Sequence, residues 1–144
     1  MKKKCCVIGL GYIGLPTSII AASAGFQIIG VDTNEKIVNS LNKGIIHIVE
    51  PNLEEAFQKI LEKKLFKAQL QPELADIFII AVPTPFKKVN NSYPTPNINY
   101  VLDAVESIMP FLRKDNLILL ESTSPVGTTE EIANKIFSQT NLKR

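Results

Sequence analysis

Val7-Ile8-Gly9-Leu10-Gly11-Tyr12-Ile13-Gly14 sets three glycines at G-x-G-x-x-G spacing, and Asp32 follows Gly14 by eighteen residues. The surroundings of this run give it meaning. Cys5 to Ile8 is apolar and predicts a buried strand. Leu15 to Ala24, small and apolar, predicts a helix, and Phe26 to Val31 a second strand with Asp32 at its end. Strand, glycine turn, helix, strand and acid within about 30 residues form a dinucleotide-binding fingerprint. The competing reading is a turn that binds nothing, and the ordered context argues against it. Gly9 allows the tight turn, Gly11 lets backbone approach a pyrophosphate, and Gly14 lets the helix pack close to the sheet. The helix N-terminus offers unpaired N–H groups and the positive end of its dipole. Asp32 can accept hydrogen bonds from the adenosine ribose, and its charge repels a 2′-phosphate. Thr33 and Asn34 supply no arginine to pair with one, which points to NAD over NADP.

The alternation continues beyond Asp32. Asn34 to Asn42 predicts a short helix with Ile37, Val38 and Leu41 on one face, ending at Gly44. Gly44 to Pro51 is too brief and bounded for an element. Asn52 is expected to cap a helix running to about Lys63 with Leu53, Ala56, Phe57, Ile60 and Leu61 inward. Phe66 to Leu70 reads as a short strand. Ile77 to Val82 and Asn116 to Glu121 read as strands buried on both faces. Between them, Phe86 to Pro96 reads as a long polar loop, a lid or a mobile segment. Asn97 caps a helix bearing Ile98, Val101, Leu102, Val105, Ile108 and Met109, with Pro110 disturbing its last turn. Thr128 opens a final helix with Ile132, Ile136 and Phe137. The fold class is α/β: a Rossmann-like, doubly wound parallel sheet in three αβα layers.

A length of 144 residues allows one domain with a real core, and a net charge of +2 points to no polyanionic partner. Lys2 to Lys4 read as a solvated N-terminus, so nucleic acid is not an expected partner. The chain shows no signal-peptide pattern and no run long enough to span a bilayer. Cys5 and Cys6 point to opposite faces of a strand, have no zinc spacing, and read as reduced core thiols of a cytoplasmic protein.

Ligands of such sheets bind beyond the C-terminal strand ends, so Gly9–Gly14, Val82–Pro85 and Glu121–Gly127 are expected to face one crevice. Thr84, bracketed by Pro83 and Pro85, can serve the cofactor from an apolar rim or satisfy its own backbone. Thr123 can orient a water or a substrate oxygen. Glu121 reads as a general base or as a hydrogen-bonded structural carboxylate. Thr128 and Thr129 read as helix-capping residues. His47 has no partner visible in the sequence.

Taken together, GLGYIGLPTS (9–18), GVD (30–32), GIIHIVEP (44–51), AVPTPF (81–86) and ESTSPVGTT (121–129) resemble the UDP-glucose/GDP-mannose dehydrogenase family. IHIVEP, AVPTPF and ESTSPVG are most similar to the branch that acts on UDP-N-acetyl-D-mannosamine. The resemblance implies NAD-dependent oxidation of a nucleotide sugar's C6 alcohol to a carboxylate. Two NAD molecules are reduced in succession, through a thiohemiacetal on a cysteine. It implies cofactor contacts at Gly9, Gly11, Tyr12, Ile13, Gly14, Asp32, Thr84 and Thr123, with Tyr12 and Ile13 acting through their N–H groups. Thr123 would lie near the nicotinamide and help order the water. The family's Gly-Gly-His-Cys nucleophile segment does not occur in these residues, nor do its catalytic lysine and asparagine, and Cys5 and Cys6 cannot replace the nucleophile. Residues 1–144 are therefore expected to be the NAD-binding domain of a longer enzyme. By the same resemblance, the family's central dimerisation helix and UDP-sugar-binding domain are expected to be absent from these residues. The chain is expected to be inactive alone, and the longer enzyme to be a homodimer acting on a UDP-sugar. Competing expectations are a UDP-glucose or other UDP-sugar dehydrogenase, a β-hydroxyacid-type dehydrogenase, and a stand-alone NAD-binding or sensing module.

Overall fold

A computed structural model describes residues 2–87 and 94–142. In chain order the elements are β1 (Lys4–Ile8), α1 (Gly14–Ser23), β2 (Gln27–Val31), α2 (Glu35–Asn42), α3 (Leu53–Glu62), β3 (Phe66–Gln69) and β4 (Ile77–Ile80). There follow β5 (Phe86–Lys87), β6 (Thr95–Pro96), α4 (Asn99–Ile108), a 3₁₀ turn (Met109–Phe111), β7 (Leu117–Leu120) and α5 (Thr128–Gln139). Five strands form one parallel sheet in the order β3-β2-β1-β4-β7. Cys5 lies between Ile28 and Ile77, and Ile8 between Val31 and Ile80.

Alternation along the strands builds two cores. On one face Cys5, Val7, Ile28, Phe66 and Ile79 pack with Leu15 and Ile19 of α1, Val38 and Leu41 of α2, and Phe57 and Ile60 of α3. The Phe57 and Phe66 rings meet edge to face, 5.1 Å between centroids. On the other, Cys6, Ile8, Ile29, Phe78 and Ile80 pack with Val101, Val105 and Ile108 of α4 and Ile132 and Ile136 of α5. This is the expected three-layer arrangement.

The two adjacent cysteines belong to different cores, and both are free and buried. Burial pushes the Cys5 thiol up to about 11 and the Cys6 thiol up to about 12. Both thiols should resist a thiol-specific reagent at pH 8 in the folded chain and react fully once urea unfolds it. Rapid labelling of either thiol in the folded state would contradict this placement. Folding holds both protons beyond the ordinary thiol value of 9.0. Stability present below that value should therefore fall as pH rises from it towards 11 and 12.

Three local expectations are corrected. The Asn116–Glu121 run is a strand at the sheet edge, not one buried on both faces. Leu117 is 50% and Leu119 43% exposed. Asn52 precedes α3 with a left-handed φ of 62° and makes no side-chain cap. Before α5 the capping position is Gly127, with φ 93°. Thr128 is the first helical residue and turns its hydroxyl back to the Pro125 carbonyl at 2.8 Å. Asn97 does serve the start of α4, its Oδ1 accepting from the Asn99 N–H at 3.1 Å. The expected loop from Phe86 to Pro96 closes at its base as the antiparallel pair β5–β6, and positions 88–93 lie outside the described residues. No helix among the described residues is long and apolar enough to cross a membrane.

Candidate functional site

β1 and β4 are neighbours, yet the chain leaves β1 for α1 on one face of the sheet and β4 for α4 on the other. The divergence opens a crevice of about 830 Å³ at their C-terminal ends. Its floor is the glycine turn. Gly9 has a left-handed φ of +94°, and its N–H donates to the Val31 carbonyl at 2.8 Å. A Cβ on Gly9 would stand 2.5 Å from the Ala81 carbonyl oxygen, and one on Gly14 only 1.8 Å from the Gly9 oxygen. Both glycines are thus required by protein atoms. Gly11 differs, since a Cβ there meets nothing within 4 Å. Its bareness leaves room on the crevice side. Among the described residues the N–H groups of Gly11, Tyr12 and Ile13 donate to no protein acceptor. They precede the ten-residue helix α1 and are left free for an anionic group. The Tyr12 and Ile13 side chains are exposed, consistent with a part played by their backbone.

Asp32 stands at the end of β2 and lines the crevice. Its Oδ2 accepts from the Leu10 N–H at 3.0 Å and its Oδ1 from the Asn34 N–H at 2.9 Å. The carboxylate thereby joins the glycine turn to the start of α2. Each oxygen keeps a second lone pair, so the group can still accept from ribose hydroxyls.

The other two strand-end loops are placed unequally. Val82 and Pro83 line the crevice as the expected apolar rim. Thr84, partly buried, and Thr123, exposed, lie outside that lining, and so does the whole Glu121–Gly127 loop. Of the three loops expected to face one crevice, two line it and the third is tied alongside the second. Ser122 makes that tie, its hydroxyl donating to the Val82 carbonyl at 2.7 Å and its N–H to the Ile80 carbonyl at 3.2 Å. Glu121 accepts from the Thr17 hydroxyl at 2.7 Å, which favours the hydrogen-bonded reading of that carboxylate. His47 is exposed. No group of three His, Cys, Asp or Glu among the described residues could hold a metal ion.

The sequence reading missed one wall. Tyr100, Asp103 and Ser107 of α4 line the crevice, as do Gln71 and Pro72 before β4. The signal for the first three was available. They recur at helical spacing along the flank of α4 beside the Val101, Val105 and Ile108 stripe.

A glycine turn with a bare position over open space, free N–H groups at a helix start and an acid ending the next strand define a dinucleotide-binding domain. The chain belongs to the UDP-glucose/GDP-mannose dehydrogenase family, as its NAD binding domain, whose profile matches residues 3–144. It is 55% identical over 130 residues to the UDP-N-acetyl-D-mannosamine dehydrogenase of Campylobacter jejuni, covering 90% of this chain and 31% of the relative. It is 44% identical over 133 residues to an NDP-N-acetyl-D-galactosaminuronic acid dehydrogenase of Ralstonia nicotianae, covering 92% and 30%. The UDP-N-acetyl-mannosamine dehydrogenase structure from Staphylococcus aureus superposes with a TM-score of 0.90 at 40% identity, covering 98% of this chain and 34% of that one. The chain therefore spans about a third of the length of these relatives.

Proposed function

We propose that this domain carries NAD in a longer enzyme that oxidises the C6 alcohol of UDP-N-acetyl-D-mannosamine to the carboxylate. The observation that carries the cofactor half is Gly11, bare over open space beside unpaired N–H groups. The sugar half rests on the printed activity of the Campylobacter jejuni and Staphylococcus aureus relatives.

NAD, when bound, accepts the hydride. The chain's own residues bind and orient it. The N–H groups of Gly11, Tyr12 and Ile13 hold the diphosphate, with Gly9 and Gly14 keeping the turn in place. Asp32 accepts from the ribose hydroxyls, and Val82 and Pro83 offer an apolar face. Thr84 follows that rim directly. Thr123 is supported by its neighbour Ser122, which is hydrogen-bonded to the rim itself. Its assigned part is to order a water beside the nicotinamide. A cytoplasmic homodimer formed through segments beyond residues 1–144 belongs to the same reading.

Two measurements test it. Titration of this chain with NAD should show saturable binding, and no NADH should form when UDP-N-acetyl-D-mannosamine is added. The longer protein with the same sugar should release two NADH for each sugar consumed. Turnover by the 144-residue chain, or a longer protein that ignores this sugar and oxidises UDP-glucose, would reject the assignment.

A further inference from the structure

We propose that the Thr17–Glu121 hydrogen bond is a clamp that fixes the diphosphate turn to the loop after β7, which makes Glu121 a positioning residue. The proposal rests on the NAD reading for its purpose and on geometry for its existence. The two residues are 104 positions apart, and β4 separates β1 from β7 in the sheet. No strand pairing joins their loops. The Thr17 hydroxyl, one turn into α1, donates to Glu121 Oε1 at 2.7 Å. The next residue, Ser122, is bonded to the carbonyls of Ile80 and Val82 at the end of β4. Glu121 and Ser122 together therefore connect the loop after β7 to the first turn of α1, which follows the glycine turn, and to the end of β4.

The loop has little else to hold it. Thr123, Pro125, Val126 and Gly127 are exposed, so burial fixes none of them. Its position depends on polar ties at its two ends, where Thr128 supplies the other through the Pro125 carbonyl. The Thr17–Glu121 bond is exposed to solvent, which screens the extra strength a charged acceptor would otherwise add. Thr17 is a β-branched residue near the start of a helix, a choice that helix propensity does not favour and a side-chain contact explains. What the clamp asks of position 121 is an acceptor oxygen, not a charge. A neutral acceptor would serve equally, and would remove a negative charge from the neighbourhood of a diphosphate.

The test is a double-mutant cycle on this chain, read by NAD titration and, without ligand, by amide hydrogen exchange. Thr17→Val and Glu121→Ala should each weaken NAD binding about threefold to tenfold, the range of one net hydrogen bond. The double variant should be no worse than either single one, because both remove the same contact. Thr17→Ser and Glu121→Gln should restore affinity to within about twofold of the wild type. In the unliganded chain, Thr17→Val should speed exchange of the Ser122 N–H, which is bonded to the Ile80 carbonyl, and Glu121→Ala should speed exchange of the Leu15 and Thr17 N–H groups. Additive losses, a Glu121→Gln variant as weak as Glu121→Ala, or exchange confined to the mutated side would overturn the clamp. If the wild type binds no NAD but the reciprocal exchange effect persists, the NAD reading fails and the clamp stands.

Discussion

Replacing Gly11 with alanine should weaken NAD binding at least about tenfold, roughly 1.4 kcal/mol, while leaving the urea midpoint unchanged or slightly raised. Replacing Gly14 with alanine should instead cost the fold about 3 kcal/mol or more. The two substitutions add the same methyl group three residues apart in one turn. What differs is what the methyl meets. At Gly11 it meets no protein atom within 4 Å and needs no left-handed backbone, so the folded chain tolerates it. Alanine also restricts the unfolded chain, which can add about 0.4–1 kcal/mol of stability. The same methyl stands where a diphosphate must approach the Gly11 and Tyr12 N–H groups, so the loss falls on the ligand. At Gly14 the methyl would lie 1.8 Å from the Gly9 carbonyl oxygen. That oxygen belongs to a turn held by the Gly9 N–H bond to Val31, and β1 is paired on both sides. Either that turn or the start of α1 must shift to admit it. Paired titrations and urea melts of the two variants check this. A Gly11→Ala chain that binds NAD like the wild type would remove the diphosphate from this turn.

The contrast also explains why this region could be read from sequence. Each glycine in the run answers a local demand imposed within a few residues. The opposite-facing Cys5 and Cys6 were legible for the same reason, since strand alternation alone assigns them to different cores. The misses share a different origin. Leu117-Ile118-Leu119-Leu120 is as apolar as Ile77-Phe78-Ile79-Ile80, and hydrophobicity does not reveal which of two such strands sits at a sheet edge. Asn52 and Thr128 are good capping residue types, but whether they cap depends on the backbone angle at the entry, a property set by the preceding loop. The Glu121–Thr17 contact joins residues whose proximity exists only after the sheet is assembled. Asp103 and Ser107 lie at helical spacing on a polar flank of α4, and such a flank above a crevice carries as much information as the apolar stripe beside it.

Asp32→Ala should lower NAD affinity about tenfold to a hundredfold and, unlike either glycine change, bring the NAD and NADP affinities closer together. Three effects combine in this one carboxylate. It supplies acceptors for ribose hydroxyls, and hydrogen bonds to a charged group are worth about 1.5–3 kcal/mol each. It repels a 2′-phosphate, so its removal relieves NADP of a cost NAD never had. It also accepts from the Leu10 and Asn34 N–H groups, which alanine leaves without their partner. That last effect predicts a stability loss of about 1–3 kcal/mol, since the Leu10 N–H is only partly reachable by water. Asp32→Asn separates the contributions. Its single carbonyl oxygen can replace only one of the two backbone contacts, yet the charge is gone. It should therefore relax discrimination against NADP as fully as alanine while recovering part of the stability. Matched titrations with NAD and NADP, beside urea melts, resolve the three effects. A fall in stability with both cofactor affinities unchanged would reduce Asp32 to a brace for its own turn. A parallel fall in both affinities would assign it to ribose binding without a part in cofactor choice. Only a change in the NAD to NADP ratio makes its charge the selecting feature, and the absence of an arginine at Thr33 or Asn34 is why the ratio should move towards unity rather than invert.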